Sequence, residues 1–324
     1  MSEFPLVSII IPVYNAAQYL AATIQTVIDQ TWPNKELLII DDGSIDGSLT
    51  IARQFDQPWI KVFEQKNSGA SVARNLGISK ASGQFMQFLD ADDLLSPDKI
   101  KLQVNALMAQ PGKIAVCSTV HFNNGENHLN NRPSAYEEQF LFSADDPVHF
   151  LINLWGGYRD KGSMIQTNAW LMPRSVIQRA GAWEEFYSPD DDGEYFSRVI
   201  LASNGIVYVE GCFNYYRKTL QGLANRNSLK ALEGCYQSIL LKQKNLFKNS
   251  QSSVAKFAIA RQLIFLAVES YPKYPEFTKQ IMSSINELGQ YSFTPIEGGP
   301  VTRKLSRWFG WKFARLFQYF MHKK

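Results

Sequence analysis

Four short polar clusters carry the side chains able to do chemistry in this chain, and each adjoins an apolar run. Asp90-Ala91-Asp92-Asp93 follows the apolar stretch 84–89. Two carboxylates two residues apart, where a strand gives way to a loop, can turn toward one hard cation. Magnesium or manganese held there would share its oxygen ligands with a phosphate and offset the charge that develops on a diphosphate leaving group. The bland alternative is an acidic loop that caps the next helix. Asp41-Asp42-Gly43-Ser44 closes a second apolar run. A carboxylate there can accept from a base imide or from ribose hydroxyls, or merely form an Asx turn around Gly43. In residues 67–77 (NSGASVARNLG), Gly69 lets a ligand approach the backbone, and Arg74 follows a helical turn later. Arg74 suits bidentate contact with a phosphate, and its plain alternative is a surface ion pair. Asp190-Asp191-Asp192 opens a helical stretch, where the dipole favours acids and a carboxylate is held rigidly.

The surrounding pattern tells how these clusters are positioned. Residues 7–13 form a continuous β-rich run, as expected of a strand covered on both faces. Helices are expected over 17–30, 48–55 and 70–80, and strands over 36–40, 60–63 and 84–89. Ser96-Pro97-Asp98 reads as a helix start with Ser96 as N-cap and Pro97 at the first helical position, running to about 110. A strand over 114–120 follows. This alternation implies a mostly parallel, Rossmann-like α/β sheet with helices on both faces. Ligands of such sheets sit beyond the carboxyl ends of the strands, where the clusters lie. Further on, the pattern suggests a polar loop over 125–133, helices over 148–154, 174–180 and 190–203, and strands over 166–172 and 206–209. From 228 to about 288 the chain reads as all-helical, and a Gly-Gly-Pro break at 298–300 follows.

Composition excludes several classes. Hydrophobic residues make up 45% of 324, enough to bury a full core. Cys117, Cys212 and Cys235 are widely spaced and lack a CxxC pattern, so neither a disulfide framework nor a zinc site is expected, and a reducing compartment fits. None of His121, His128, His149 and His322 has a metal-ligand spacing. The N-terminus enters a strand-like run at once, without a signal-type pattern, and no stretch is apolar enough to span a bilayer. A dehydrogenase would carry GxGxxG after the first strand, where this chain has Pro12-Val13-Tyr14-Asn15. The Gly-rich, basic loop of a nucleotidyltransferase is missing too, and no QxxRW suggests a processive synthase. Trp155, Tyr158, Trp170 and Trp183 can stack on sugar rings or pack the core.

Together, residues 7–15 (VSIIIPVYN), 41–44 (DDGS), 69–77 (GASVARNLG) and 88–97 (FLDADDLLSP) resemble the inverting glycosyltransferases of family 2, which have the GT-A fold. The likeness is strong over 5–120 and extends weakly to about 217 through 181–184 (GAWE) and 191–198 (DDGEYFSR). The resemblance implies a GT-A domain over 1–220, with a nucleotide-sugar half (1–120) and an acceptor half (121–220). A helical extension (221–297) and a basic amphipathic tail (298–324) would follow. It implies a nucleotide-sugar donor of the UDP type, Mn2+ or Mg2+, and a glycan or lipid-linked hydroxyl as acceptor in envelope or polysaccharide synthesis. Pro12, Val13, Tyr14 and Asn15 would line the base, Asp42 would meet its edge, and Asn67 and Gly69 would border the site. Arg74 would reach base, ribose or diphosphate. Asp90 and Ala91 would face ribose or metal-bound water, with Asp92 as direct metal ligand and Asp90 as the second. The family's base lies in a Glu-Asp pair, replaced here by Asp191-Asp192. Asp192 aligns with the base, and Asp191 is next in line. A non-catalytic nucleotide-sugar or glycan binder on the same fold is the alternative, disfavoured because metal acids and base pair are both present.

The net charge of +3 is unevenly spread. Residues 301–324 hold seven Lys and Arg and no acid, so the body is net acidic. An acidic body with a basic tail argues against nucleic acid. In 302–324, Leu305, Trp308, Phe309, Phe313, Leu316, Phe317 and Phe320 recur at helical steps among the cations. That suits an interfacial helix on anionic lipid at the cytoplasmic face of a membrane, with docking on the body or in a homodimer as the alternative.

Overall fold

A computed structural model describes residues 3–219, 228–291 and 299–321. Gly298 of the break and His322, Lys323 and Lys324 of the tail lie outside these residues. The chain divides into two compact units. The first takes Met1–Leu151, Ser163–Phe186 and Asp191–Leu223, and the second Ile152–Gly162, Tyr187–Asp190 and Ala224–Lys324.

The first unit is built on β1 (Val7–Val13), in which only Pro12 is not fully buried. Such a strand needs neighbours on both edges and layers on both faces. β2 (Lys35–Asp41), β3 (Ile60–Glu64) and β4 (Phe85–Phe88) supply the edges in the parallel order β3-β2-β1-β4. The connections run through α1 (Leu20–Ile28), α2 (Ser48–Arg53) and α3 (Ala70–Lys80). Register fixes the rim: Val13 pairs with Asp41, Asp41 with Glu64, and Ile10 with Phe88. The residues that follow β1, β2 and β4 therefore emerge on one side.

The sheet continues through β5 (Leu94–Leu95), α4 (Lys99–Ala109), β6 (Ile114–Asn123) and α5 (Ala135–Glu138). Then come α6 (Pro147–Leu154), β7 (Trp170–Pro173), α7 (Arg174–Ala180), α8 (Asp191–Ala202) and β8 (Ile206–Lys218). The eight strands lie in the order β3-β2-β1-β4-β7-β6-β8-β5. This half departs from the parallel pattern: β7 is antiparallel to β4 and β6, and β5 to β8. The cause lies just before β7. The carbonyls of Asn168 and Ala169 accept from Gln87 Nε2 (3.0 Å) and Gln103 Nε2 (2.9 Å), and fully buried Lys99 donates to both glutamine side chains. The chain is thus pinned at the rim and must run back from it.

Two local expectations change. Ser96 does not cap α4, because its hydroxyl accepts from Phe213 N–H (2.9 Å) in extension of the β5–β8 pairing, and α4 begins at Lys99. The last strand does not stop at 209. It continues past an irregularity at 116–118 of its partner to Lys218, alongside β6.

The second unit is helical: α9 (Leu229–Phe247), α10 (Ser253–Ser270), α11 (Pro275–Leu288), α12 (Pro300–Phe309) and α13 (Trp311–Met321). Ser228 and Ser252 cap α9 and α10 by accepting from Ala231 N–H (3.2 Å) and Ala255 N–H (3.3 Å). Lys242, buried on α9, pairs with Asp190, which accounts for the third acid of the 190–192 run. Among the described residues no helix is long and apolar enough to cross a membrane.

Gly77 on α3 faces β1 so closely that a Cβ there would lie 2.3 Å from Ile10 Cγ2. Overpacking of this kind costs about 1–3 kcal/mol. Gly77→Val should lower the thermal unfolding midpoint by several degrees in a calorimetric scan, and an unchanged midpoint would show that the α3–β1 contact is slack.

Candidate active site

The acids at the end of β4 are held in a frame. Asp90 N–H donates to Asn168 Oδ1 (2.9 Å), and Asn168 Nδ2 donates to Asp93. The other Asp93 oxygen accepts from Arg217 N–H (2.7 Å), and Arg217 Nε donates to the Asp92 carbonyl (2.8 Å). The Arg217 guanidinium rests over Phe122 (4.5 Å) and Tyr19 (5.0 Å). Asp93 is thereby buried as a brace, while Asp90 and Asp92 stay half-buried at the rim. Ala91 is buried, and its carbonyl accepts from Thr23 Oγ1 (2.9 Å), which ties the turn to α1.

Crowding has an electrostatic consequence. Burial, then the neighbouring Asp90 charge, pushes the Asp92 carboxyl up to about 6. Burial and the Asp92 and Asp90 charges hold Asp93 well above the usual carboxylate range. A divalent cation beside Asp90 and Asp92 would offset that repulsion, so the donor set fits one. Among the described residues no cluster of three or more His, Cys, Asp or Glu makes a closed cage. Magnesium and manganese need none, since one or two carboxylates plus substrate phosphates suffice.

Arg74 joins this acid group to the second. Its two terminal nitrogens donate to Asp90 Oδ1 (2.9 Å) and Asp191 Oδ2 (3.1 Å). Its plane lies 4.5 Å from the Trp183 ring, which stacks on Tyr195 at 3.9 Å. Burial disfavours the Arg74 charge, yet Asp90, Asp191 and Asp192 outweigh it and raise its pKa. Arg74 thus ties the two acids to each other. Ser71 Oγ donates to the same Asp191 oxygen (3.0 Å), and the other Asp191 oxygen accepts from Asp192 N–H (2.9 Å). Asp192, half-buried in the first turn of α8, accepts from Gly193 N–H (2.7 Å).

The third group borders the same rim. Asp42 is buried and fully engaged: Oδ1 accepts from Gln65 Nε2 (2.7 Å) and Ser68 N–H (2.8 Å), Oδ2 from Asn67 Nδ2 (3.2 Å) and Gly69 N–H (2.8 Å). It therefore shapes the 65–69 loop. Gly43 makes the turn possible, at φ +73° and with Asn67 N only 2.8 Å from where a Cβ would sit. Gly69, at φ +98°, has open space around it. Tyr14 is exposed, and Asn15, at φ +50°, accepts from Ile45 N–H (2.9 Å) through Oδ1. Pro12 and Val13 lie beneath them at the end of β1.

Two residues of this frame, Asn168 and Arg217, escaped the sequence. Neither belongs to a pattern, and only closure of the sheet brings them to the acids. His121 is paired with Glu137, 2.9 Å from both its oxygens. Trp170 and Trp183 are core residues.

The site and sheet define an α/β protein with two acid groups on the rim at the carboxyl ends of its parallel strands. Residues 8–167 match the family model described as "Glycosyl transferase family 2", so that stretch of the chain is a domain of that family. A curated relative, "Putative teichuronic acid biosynthesis glycosyltransferase TuaG" of Bacillus subtilis, is 42% identical over 32% of this chain and 42% of its own length. The chain spans less than half the length of the curated relatives it first matches. Among solved structures, S. aureus TarS 1-349 in complex with UDP-GlcNAc superposes with a TM-score of 0.60 at 15% identity, over 90% of this chain and 95% of that one. GalNAc-T7 with UDP, GalNAc and Mn2+ gives 0.60 at 15% identity, over 88% and 55%. At such identities these show the fold, which is GT-A.

The raised Asp92 pKa carries a stability consequence. The folded chain keeps that proton up to about pH 6, whereas the unfolded chain releases it near the ordinary carboxylate value. Without metal, Asp92 therefore takes away stability as pH rises through that window. Asp92→Asn should make the metal-free protein more resistant to urea at pH 7 and nearly neutral at pH 4. Equal urea midpoints for both proteins at pH 7 would contradict the crowding.

Proposed function

We propose that this chain is an inverting, metal-dependent glycosyltransferase. It moves a sugar from a UDP-type donor to a hydroxyl of a glycan or lipid-linked acceptor in envelope polysaccharide synthesis. The observation that carries this reading is Arg74, whose guanidinium joins Asp90 to Asp191 and so sets a candidate donor group and a candidate base pair beside each other. The nucleotides named in the TarS and GalNAc-T7 structures, the Mn2+ in the latter and the teichuronic-acid name of the B. subtilis relative support the choice of donor, metal and pathway.

In this reading Tyr14 offers a ring face to the base, above Pro12, Val13 and Asn15. The Asp42-held loop with Asn67 and Gly69 walls the base and ribose. Asp92, with Asp90, would hold Mn2+ or Mg2+, which would supply positive charge for the departing diphosphate. Asp191 is bound to Arg74 and Ser71 and orients the start of α8. Asp192 takes the proton of the acceptor hydroxyl as its oxygen attacks the anomeric carbon, and the bond to the diphosphate breaks with its electrons on the leaving oxygen. Attack from the face opposite the nucleotide inverts the anomeric centre. Residues 302–324 would keep the protein at the cytoplasmic face of a membrane, near a lipid-linked acceptor.

A screen of nucleotide sugars for donor hydrolysis, with Mn2+ or Mg2+, tests this directly. Chelation and Asp92→Asn should each abolish most turnover. Asp192→Asn should slow transfer by about a hundredfold or more with donor affinity nearly unchanged. Turnover indifferent to a chelator would remove the metal from the mechanism, and tight donor binding without turnover under any condition would indicate a binding protein. If Asp191→Asn is dead and Asp192→Asn active, the base is Asp191.

A further inference from the structure

The C-terminal segment is two helices, α12 and α13, meeting at Gly310, which turns the corner at φ +81°. One side of the pair is already satisfied. Thr302, Ser306 and Ala314 are buried, Trp311 sets its ring edge against Tyr271 at 5.8 Å, and Arg315 Nε donates to the carbonyls of Val268 (3.0 Å) and Tyr271 (3.3 Å). Arg315 is thereby withdrawn from the cationic set that the sequence suggests.

The other side is apolar and exposed among the described residues. Trp308 is 70% exposed, Phe309 63% and Phe320 62%, with Val301, Phe313 and Phe317 also exposed. Phe309 and Phe313 touch across the corner, ring centroids 5.1 Å apart, so the apolar rows of the two helices run into each other. Soluble chains rarely leave so large a connected patch without a partner. Arg303, Lys304 and Arg307 stand exposed along α12, and Lys312 is exposed in the first turn of α13. No acid occurs between 299 and 321.

Resting on the reading that the acceptor is lipid-linked, we propose that the α12–α13 hairpin is a docking surface for an anionic lipid bilayer. It lies in the plane of the headgroups with Trp308, Phe309, Phe313, Phe317 and Phe320 at the acyl boundary. The charges decide the occupant. A second copy would bring Arg303, Lys304 and Arg307 against the same cations with no acid in the segment to meet them, which opposes self-pairing. A bilayer accepts the aromatics, while the basic side chains reach the headgroups from beside them. Each helix is about 15 Å long, too short to span the hydrocarbon, so docking is reversible and salt-sensitive.

The test uses the full chain and vesicles of phosphatidylcholine alone or mixed equally with phosphatidylglycerol. The wild-type protein should co-sediment with the mixed vesicles at low salt and be released by high salt. Arg303→Gln/Lys304→Gln/Arg307→Gln should bind mixed vesicles at least about tenfold more weakly. Trp308→Ala/Phe309→Ala/Phe313→Ala should lose binding even at low salt. Both variants should hydrolyse donor in solution at the wild-type rate, so loss of hydrolysis in every protein would overturn the enzymatic reading while leaving vesicle binding to be judged by itself. Absence of wild-type binding, or equal binding by all three, overturns the proposal. So does a wild-type dimer in light scattering that the aromatic variant converts to monomer.

Discussion

One buried cation organises the first unit. Arg74 is almost inaccessible to water, and its charge is tolerable there because Asp90 and Asp191 meet its two terminal nitrogens. Removing one partner of such a buried pair costs about 3–5 kcal/mol, because the remaining charge is left uncompensated. That penalty ties three distant segments to one geometry: α3, the end of β4 and the first turn of α8. Trp183, under the guanidinium, and Tyr195, stacked on Trp183, extend the constraint into the core. The planar fork of an arginine suits this bridge, because it meets the two acids from two different nitrogens, whereas a lysine would have to reach both from one.

Around that bridge the rim holds more negative charge than the fold needs. Asp93 is spent on Arg217 and Asn168, and in being spent it brings a buried carboxyl close to Asp90 and Asp92. Strain of this kind is typical of functional sites, where a ligand rather than the fold balances the charge. The same frame explains the strand directions. Asn168 must sit at the rim to meet Asp90 and Asp93, so the strand that follows it can only run away from the rim, against β4.

What was legible in the sequence follows from the range of the interactions involved. The β1 run and the three helices after β1, β2 and β3, among them α3 at Ala70–Lys80, are set by local periodicity and read directly. So did the convergence of Tyr14, Asp42 and Asp90, since parallel register alone aligns their strands. Features set by long-range contacts did not read. The Ser96 hydroxyl is captured by Phe213, far along the chain, which no local capping pattern reveals. The strand over 210–218 lacks an apolar pattern and is held by pairing with β6. Asp190 looked like a member of an acidic helix start, yet it answers a buried lysine 52 residues later. Arg74 was visible as a functional candidate, but its partners were not, because Asp191 lies 117 residues away.

The claim that Arg74 makes the two acid groups one site is best tested by a double-mutant cycle. Donor hydrolysis would be measured for Arg74→Met, Asp191→Asn and the double variant, each first shown to be folded by circular dichroism. If the bridge is real, the double variant should be little worse than Arg74→Met alone, with a coupling of about 1 kcal/mol or more. Losses that simply add would mean that the two acid groups work independently, and the bridge would then be structure without function.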